Sequence, residues 1–174
     1  MSLDHLWAGW RSAYVASVVD GPAPTVTGSG AGGPCVFCGI FESDAVDEER
    51  HVVHEDALVV VLLNAFPYAT GHLLVMPRRH VGDLGALDPE ESVALWEGAR
   101  RAVSALGRAY APDGVNLGAN LGRAAGAGIP GHVHLHAVPR WIGDTNFMTA
   151  VASTRVLPES LGDSWAKLRA AWPA

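Results

Sequence analysis

Three histidines alternate with apolar residues in one short run of the chain, His-Val-His-Leu-His at positions 132–136. Successive side chains of a β-strand point to opposite faces, so a strand over residues 132–139 would align His132, His134 and His136 on one face. The apolar neighbours expected to point elsewhere are Val133, Leu135 and Val138. Imidazole is a nucleophile, a general acid or base, and a metal ligand near neutral pH. The run therefore predicts a chemical site on one face of a strand.

A loop rich in glycine and alanine, residues 122–131, comes directly before the histidines. Small residues let backbone N–H groups approach an anion, and consecutive N–H groups can form a nest for phosphate. Glycine loops are also common as plain turns, and the sequence leaves both interpretations open. Asn120 would lie near the end of the preceding strand, close to the same anion.

Phosphoryl chemistry is the function that this arrangement favours. A neutral imidazole can attack phosphorus and form a phosphoramidate, which is then passed to water or to another acceptor. His134 is flanked on both sides and is the predicted nucleophile, while His136 would donate to phosphate oxygens or assist the leaving group. The competing interpretation is a catalytic zinc ion held by the three histidines, for which no nearby carboxylate offers an obvious base.

The two cysteines, Cys35 and Cys38, are spaced C-x-x-C. This spacing suits half of a tetrahedral structural zinc site, and His80 and His132 are candidates for the other two ligands. The alternative ligands are His51 and His54. Free thiols and a redox pair are the other interpretations, although a redox pair would normally open a helix in a βαβ context that the sequence does not show.

The elements that must position these residues follow from hydrophobic periodicity and turn signals. The predicted strands are 52–54, 57–63, 72–76, 115–121 and 132–139. The predicted helices are 2–19, 89–110 and 158–172, and a mobile Gly/Pro-rich loop is expected at 20–34. Asp88 followed by Pro89 is a typical helix start. Because strands outnumber helices and several connections are short, the fold class expected is α+β, a mainly antiparallel sheet with covering helices.

Composition narrows the functional classes. The length of 174 residues suits one domain, and a hydrophobic content of 49% with a net charge of −6 fits a compact acidic protein. That charge argues against broad nucleic-acid binding, which needs many Lys and Arg contacts to phosphate. No apolar run reaches the length of a membrane span, and residues 1–20 do not resemble a signal peptide, so a cytoplasmic protein without a membrane partner is predicted.

Several motifs, in chain order, resemble those of the histidine triad (HIT) family. The alternating histidines with their Pro139-Arg140 tail are similar to the family signature, and the Cys35–Cys38 pair is similar to its zinc half-site. Residues 62–77 resemble its nucleoside-binding strand pair, and Gly118-Ala-Asn-Leu-Gly with the following loop resembles its α-phosphate loop. Features of the flanks resemble an actinobacterial branch that includes diadenosine tetraphosphate (Ap4A) phosphorylases.

The resemblance implies a fold and an organisation for the chain. It implies a HIT-like fold whose sheet continues across a homodimer. Residues 1–34 would form an N-terminal helix and flexible loop, residues 35–148 the HIT domain, and residues 149–174 a C-terminal helical extension.

The resemblance also implies roles by position. His134 would be the nucleophile that takes up the nucleotidyl group, with His132 and His136 beside it and His136 contacting phosphate. The substrate-binding residues implied are Asn64 at the ribose, His72, Asn120, Arg123 and the main chain near Ala127 and Gly128. The zinc ligands implied are Cys35, Cys38, His80 and His132.

The activity implied is cleavage of Ap4A by phosphate to ATP and ADP through a nucleotidyl-histidine, with no organic cofactor. The alternatives are a hydrolase of Ap4A or nucleoside phosphoramidates, and a nucleotide-binding or zinc-stabilised module without turnover. One departure matters: where many family members carry Gly-Gln-Ser/Thr, this chain has Ala127-Gly128-Ile129. Leaving-group contacts would then come from the backbone or from Arg123.

Overall fold

The computed structural model describes residues 35–144 and 157–173. The predicted helix 2–19 and loop 20–34 lie outside the described residues. The helices are α1 Val36–Phe41, α2 Asp47–Arg50, α3 Pro89–Tyr110 and α4 Leu161–Ala171. The strands are β1 Val52–Glu55, β2 Val59–Leu63, β3 Leu73–Pro77, β4 Gly114–Ala119 and β5 Leu135–Arg140.

The five strands form one antiparallel sheet in the order β1-β2-β3-β5-β4. Alternation along β2 divides its apolar side chains between two faces. Val59, Val61 and Leu63 join the main core beneath α3 and α4, whereas Val60 and Leu62 pack with α1 on the other face. The predicted α+β class, an antiparallel sheet covered by helices, is therefore confirmed.

Helix α3 begins where the sequence predicts. Asp88 accepts a hydrogen bond from the backbone N–H of Glu91, and the Glu91 carboxylate accepts from the backbone N–H of Asp88, which completes a capping box with Pro89 in the first turn. The Arg79 guanidinium also clamps the Glu91 carboxylate at 2.6 Å. These contacts tie the start of α3 to the chain leaving β3.

Strand β5 is shorter than the predicted strand 132–139, because it begins at Leu135. The backbone N–H of His132 donates to the Ile129 carbonyl at 3.3 Å, and that of Val133 donates to Val81 at 2.7 Å. These bonds hold His132 and Val133 outside the β3–β5 ladder. The last helix is also shorter than predicted, since Ser160 caps it and Trp172 ends it.

Helices long and apolar enough to cross a membrane are absent from residues 35–144 and 157–173.

Candidate active site and metal centre

The three histidines of the alternating run lie together on the α1 side of the sheet. The Phe37 ring of α1 contacts His132 and His134 edge-on, at centroid distances of 5.5 and 5.2 Å. His134 and His136 are 5.0 Å apart by the same measure. Val138 was expected to point away from the histidines, but it does not. It follows His136 by two residues along β5, so the two side chains share a face and line one cavity.

His132 is fully buried and turns one ring nitrogen toward the cysteines. Its Nε2–H donates to the Pro77 carbonyl at 2.8 Å, which leaves Nδ1 as the unprotonated nitrogen. Nδ1 lies 3.5 Å from Cys35 Sγ and 3.8 Å from Cys38 Sγ. The tautomer thus presents a lone pair to the two sulfur atoms.

His80 completes this cluster from the loop after β3, with Nδ1 at 3.4 Å from Cys38 Sγ. The ligand atoms of Cys35, Cys38, His80 and His132 all lie within 4.8 Å of one another. Two thiols and two imidazoles at this spacing suit tetrahedral zinc. Both thiols are free, and burial, followed by the hydrogen bond and charge of Cys35, raises the pKa of Cys38 to about 11 when no cation is present.

The composition of this cluster distinguishes between the candidate zinc ligands that the sequence left open. Among residues 35–144 and 157–173 it is the one group of at least three His, Cys, Asp or Glu side chains that meets the spacing for an ion. It includes His80 and His132 but not the alternatives His51 and His54. The second and third histidines of the run are also outside it, which disfavours a catalytic zinc held by all three.

His134 has the opposite tautomer from His132. Its Nδ1–H donates to the His132 carbonyl at 2.8 Å, so Nε2 keeps its lone pair. Burial lowers the pKa of His134, opposed by that hydrogen bond, and the ring is therefore neutral near pH 7. A neutral imidazole with a fixed free nitrogen has the form that nucleophilic attack requires.

His136 is oriented by a relay that begins at the backbone. The Tyr68 N–H donates to His72 Nδ1 at 3.0 Å, so the proton of His72 is on Nε2 and donates to His136 Nδ1, also at 3.0 Å. The proton of His136 is consequently on Nε2, a buried atom that has no hydrogen-bond partner in the part of the chain that the structure describes. Burial and then the charge of His134 lower the pKa of His136 to about 4, which makes it a neutral donor.

The other predicted substrate-binding residues differ in their positions relative to His134 and His136. Asn64 closes the β2–β3 hairpin, where its Oδ1 accepts from Phe66 N–H at 2.9 Å and its amide group donates to His72. Asn120 follows β4 and lines the cavity beside His136. In the glycine-rich loop the Ala127 N–H already donates to the Gly122 carbonyl at 3.2 Å, while Gly128 and Arg123 are exposed.

A cavity of about 830 Å³ opens beside His136, and sequence reasoning did not find it. The lining residues that were not individually predicted as substrate-binding include Tyr68, Thr70, Tyr110, Asn116, Gly118 and Trp141. They come from four separate parts of the chain. The Tyr68 ring also stacks on His136, at 5.7 Å and 17°. Two signals in the sequence lie here, the cluster of Pro67, Tyr68 and Gly71 around the turn before β3 and the Gly118-Ala-Asn-Leu-Gly stretch at the end of β4.

A family model described as HIT domain matches residues 46–141. A Mycobacterium tuberculosis (strain H37Rv) protein named AP-4-A phosphorylase is 36% identical over 170 residues, which cover 98% of this chain and 85% of that protein.

Solved structures agree with the family match. A zinc-bound histidine triad family protein from Mycobacterium smegmatis aligns with a TM-score of 0.64 and 34% identity over 79% of this chain and 91% of its own. A histidine triad nucleotide-binding protein from Sulfolobus tokodaii aligns with a TM-score of 0.65 and 27% identity over the same shares of the two chains, 79% and 91%.

Proposed function

We propose that this chain, which belongs to the HIT domain family, is a nucleotidyl transferase that cleaves Ap4A with inorganic phosphate to give ATP and ADP. The observation that carries the proposal is the complementary pair of ring nitrogens, a lone pair on His134 Nε2 and an unpartnered N–H on His136 Nε2. The similarity to a protein named AP-4-A phosphorylase along nearly the whole chain supports the choice of substrate.

In the first step His134 Nε2 attacks the α-phosphorus of Ap4A. A nitrogen–phosphorus bond forms, the bond from that phosphorus to the bridging oxygen breaks, and ATP leaves with the bond's electron pair. The proton on His134 Nδ1 stays in place, so the adenylylated ring carries a positive charge that the His132 carbonyl stabilises at 2.8 Å. His136 Nε2–H donates to the phosphate oxygens, where negative charge develops.

In the second step an oxygen of inorganic phosphate attacks the same phosphorus. The nitrogen–phosphorus bond breaks, its electron pair returns to His134 Nε2, and ADP is released. Water in place of phosphate would give AMP, which is the hydrolase alternative. Both reactions share the first step, so the group that occupies the acceptor position decides between them.

Product analysis after mixing the protein with Ap4A, with and without inorganic phosphate, tests the proposal. ATP and ADP that form only when phosphate is present are the expected result. AMP and ATP formed without phosphate would overturn the phosphorylase assignment in favour of hydrolysis. No cleavage in either mixture would favour phosphoramidate substrates or a binding module. The cytoplasmic location predicted from the sequence would supply both substrates.

We also propose that Cys35, Cys38, His80 and His132 hold a zinc ion. The donor set fits, because His132 Nδ1 is unprotonated and faces both thiols, and a zinc-bound relative is known in Mycobacterium smegmatis. Bound zinc would supply a tetrahedral cross-link between α1, the loop after β3 and the histidine run. It would not contact the reacting phosphate group, which His134 and His136 would contact instead.

A homodimer that continues the sheet through β4 is the third part of the proposal. Strand β4 lies at the end of the sheet and is largely exposed. Leu117 of β4 is 41% exposed, and Trp96 of α3 is 53% exposed. The outer edge of β4 has no partner strand among residues 35–144 and 157–173. Such an edge with apolar side chains is a template for another strand, which a second copy of the chain would supply.

A further inference from the structure

The cavity beside His136 is too large for a phosphate ion alone. Its volume of about 830 Å³ is within the range of about 300–1,000 Å³ that is typical of sites for drug-sized ligands. Its lining includes His136 and residues of β4 and β5 but not His134. Phe37 and the apolar cluster of α1 pack under β2 and β3 instead. The open space therefore borders His136.

Two buried polar atoms of the cavity lining lack partners. Among residues 35–144 and 157–173, His136 Nε2 and Thr70 Oγ1 have no hydrogen-bond partner, and both residues line the cavity. A buried donor without a partner costs free energy, so such atoms indicate a ligand that accepts from them. His136 and the Thr70 hydroxyl can both donate, which suits the oxygens of a polyphosphate chain.

Gly118 keeps this space open. It pairs directly with His136 across β4 and β5, and the two side chains of such a pair point to the same face. A Cβ atom placed on Gly118 would meet nothing within 4 Å. The glycine is therefore not required by packing, and its missing side chain leaves room beside His136.

Aromatic and acidic side chains also line the cavity. Tyr110 and Trp141 meet edge-on at 6.3 Å, and the Tyr110 hydroxyl donates to Glu159 at 2.8 Å. Aromatic rings offer stacking surfaces to a base, and carboxylates accept from ribose hydroxyls. A cavity lined by donors, aromatic rings and a carboxylate matches a nucleoside polyphosphate.

We propose that this cavity binds the leaving nucleotide of a dinucleoside polyphosphate, with Thr70 donating to its polyphosphate chain and Gly118 providing the opening beside His136. The inference rests on the proposed function and extends it, because it makes the departing group a recognised part of the substrate. It predicts a preference for large nucleotide leaving groups over small ones at the same adenylyl group.

Two pairs of variants test the inference. Gly118→Val fills the opening, and Gly114→Val is its matched control on the same strand and face, because Gly114 pairs with Arg140 and its Cβ position also meets nothing within 4 Å. Thr70→Val removes the hydroxyl at nearly constant volume, and Thr70→Ser restores it. Each variant is assayed for kcat/KM with Ap4A and with adenosine 5′-phosphoramidate, whose leaving group is ammonia.

The quantity compared is the ratio of kcat/KM for Ap4A to that for the phosphoramidate. We expect Thr70→Val to lower this ratio about tenfold or more, the size expected for loss of a hydrogen bond to a charged group. Gly118→Val should lower the ratio as well, because its side chain would occupy space that the leaving nucleotide needs. Gly114→Val and Thr70→Ser should keep the ratio of the unchanged protein. Ratios that stay constant in all four variants, or that fall equally in Gly118→Val and Gly114→Val, would overturn the inference.

A binding measurement separates failure of the inference from failure of the proposed function. The His134→Ala variant cannot form the nitrogen–phosphorus bond, so the dissociation constants of Ap4A and AMP can be compared by calorimetry without turnover. Tighter binding of Ap4A that is lost when Gly118→Val is added supports the cavity as the site, even if the unchanged protein does not cleave Ap4A. Equal binding of Ap4A and AMP would refute the inference.

Discussion

At the scale of single residues, backbone carbonyls decide which nitrogen of each histidine can react. The Pro77 carbonyl accepts from His132 Nε2–H, and the His132 carbonyl accepts from His134 Nδ1–H, so the two imidazoles present different unprotonated nitrogens. His132 presents Nδ1 to the cysteine sulfur atoms, and His134 presents Nε2 for nucleophilic attack. Sequence alone cannot supply this difference, because Pro77 and His132 are far apart in the chain.

Replacing His134 by alanine should lower turnover of Ap4A by several orders of magnitude, because the neighbouring His136 carries a proton on Nε2 and offers no lone pair there. The fold should remain, since most of the core is on the other face of the sheet. Steady-state rates, circular dichroism and Ap4A affinity are the measurements. Turnover close to that of the unchanged protein would exclude His134 as nucleophile, and a chain without turnover even before substitution would favour a binding module.

Removal of zinc should destabilise the chain through the four-ligand cluster. Cys38→Ser is expected to abolish stoichiometric zinc and lower the melting temperature, because metal binding free energy contributes to folding. A loss of about 2 kcal/mol would shift Tm by roughly 4–8 °C in a chain of this size. Removal of zinc from the unchanged protein by a chelator should also lower the melting temperature.

His51→Asn is the control for the metal prediction, since His51 is outside the cluster and asparagine tolerates its left-handed backbone at φ 57°. This variant should keep both zinc and Tm. Elemental analysis that finds no zinc in protein purified without chelator would contradict the prediction.

At the scale of elements, features set by residues adjacent in sequence were predicted correctly, whereas features set by contacts between distant residues were not. Asp88-Pro89 predicted the start of α3 because a helix cap is built from adjacent residues. The start of β5 was predicted three residues too early, because the Val81 carbonyl that holds Val133 outside the ladder is distant in sequence. The cavity was missed for the same reason, since Thr70 and Gly118 line one space only in the folded chain.

The capping box of α3 should make stability depend on pH in a defined range. The Arg79 guanidinium and then the Asp88 N–H lower the pKa of Glu91 from 4.5 to about 2. A carboxylate with a depressed pKa stabilises the folded state fully above its unfolded pKa, and this contribution is lost as pH falls from about 4.5 toward 2. Glu91→Gln, which cannot ionise, should therefore be less stable than the unchanged protein at pH 7, and the difference should shrink toward pH 2.

Urea unfolding at several pH values measures this difference. Glu97→Gln is the control on the same helix, because Glu97 is about half exposed and pairs with the exposed Arg100, and such surface pairs contribute little. A stability difference for Glu91→Gln that does not change with pH would contradict the assignment of the effect to ionisation.

At the scale of the whole molecule, the two edges of the sheet are treated differently. Helix α4 covers the β1 edge, where Trp165 Nε1–H donates to the Val52 carbonyl at 2.8 Å and Arg169 donates to the Val53 carbonyl at 2.6 Å. Arg101 donates to the Pro173 carbonyl at 2.6 Å and so fixes the chain that follows α4. A helix packed over an edge strand prevents that strand from pairing with another chain.

The β4 edge has no comparable helix among residues 35–144 and 157–173, which is why we place the dimer contact there. Leu117→Asp would put a charge on the exposed apolar side of β4, and a twofold axis through this edge would bring two such charges together. Val93→Asp is the control, because Val93 is 70% exposed on α3 and is not part of the sheet edge.

Light scattering coupled to size-exclusion chromatography measures the outcome across a range of concentrations. We expect a dimer for the unchanged chain and for Val93→Asp, and a shift toward monomer for Leu117→Asp, because like charges buried without partners oppose association. A monomeric unchanged chain, or a dimer that Leu117→Asp leaves intact, would contradict pairing through β4. Since Leu117, Gly118 and Asn120 all line the cavity beside His136, such pairing would also stabilise the strand that borders it.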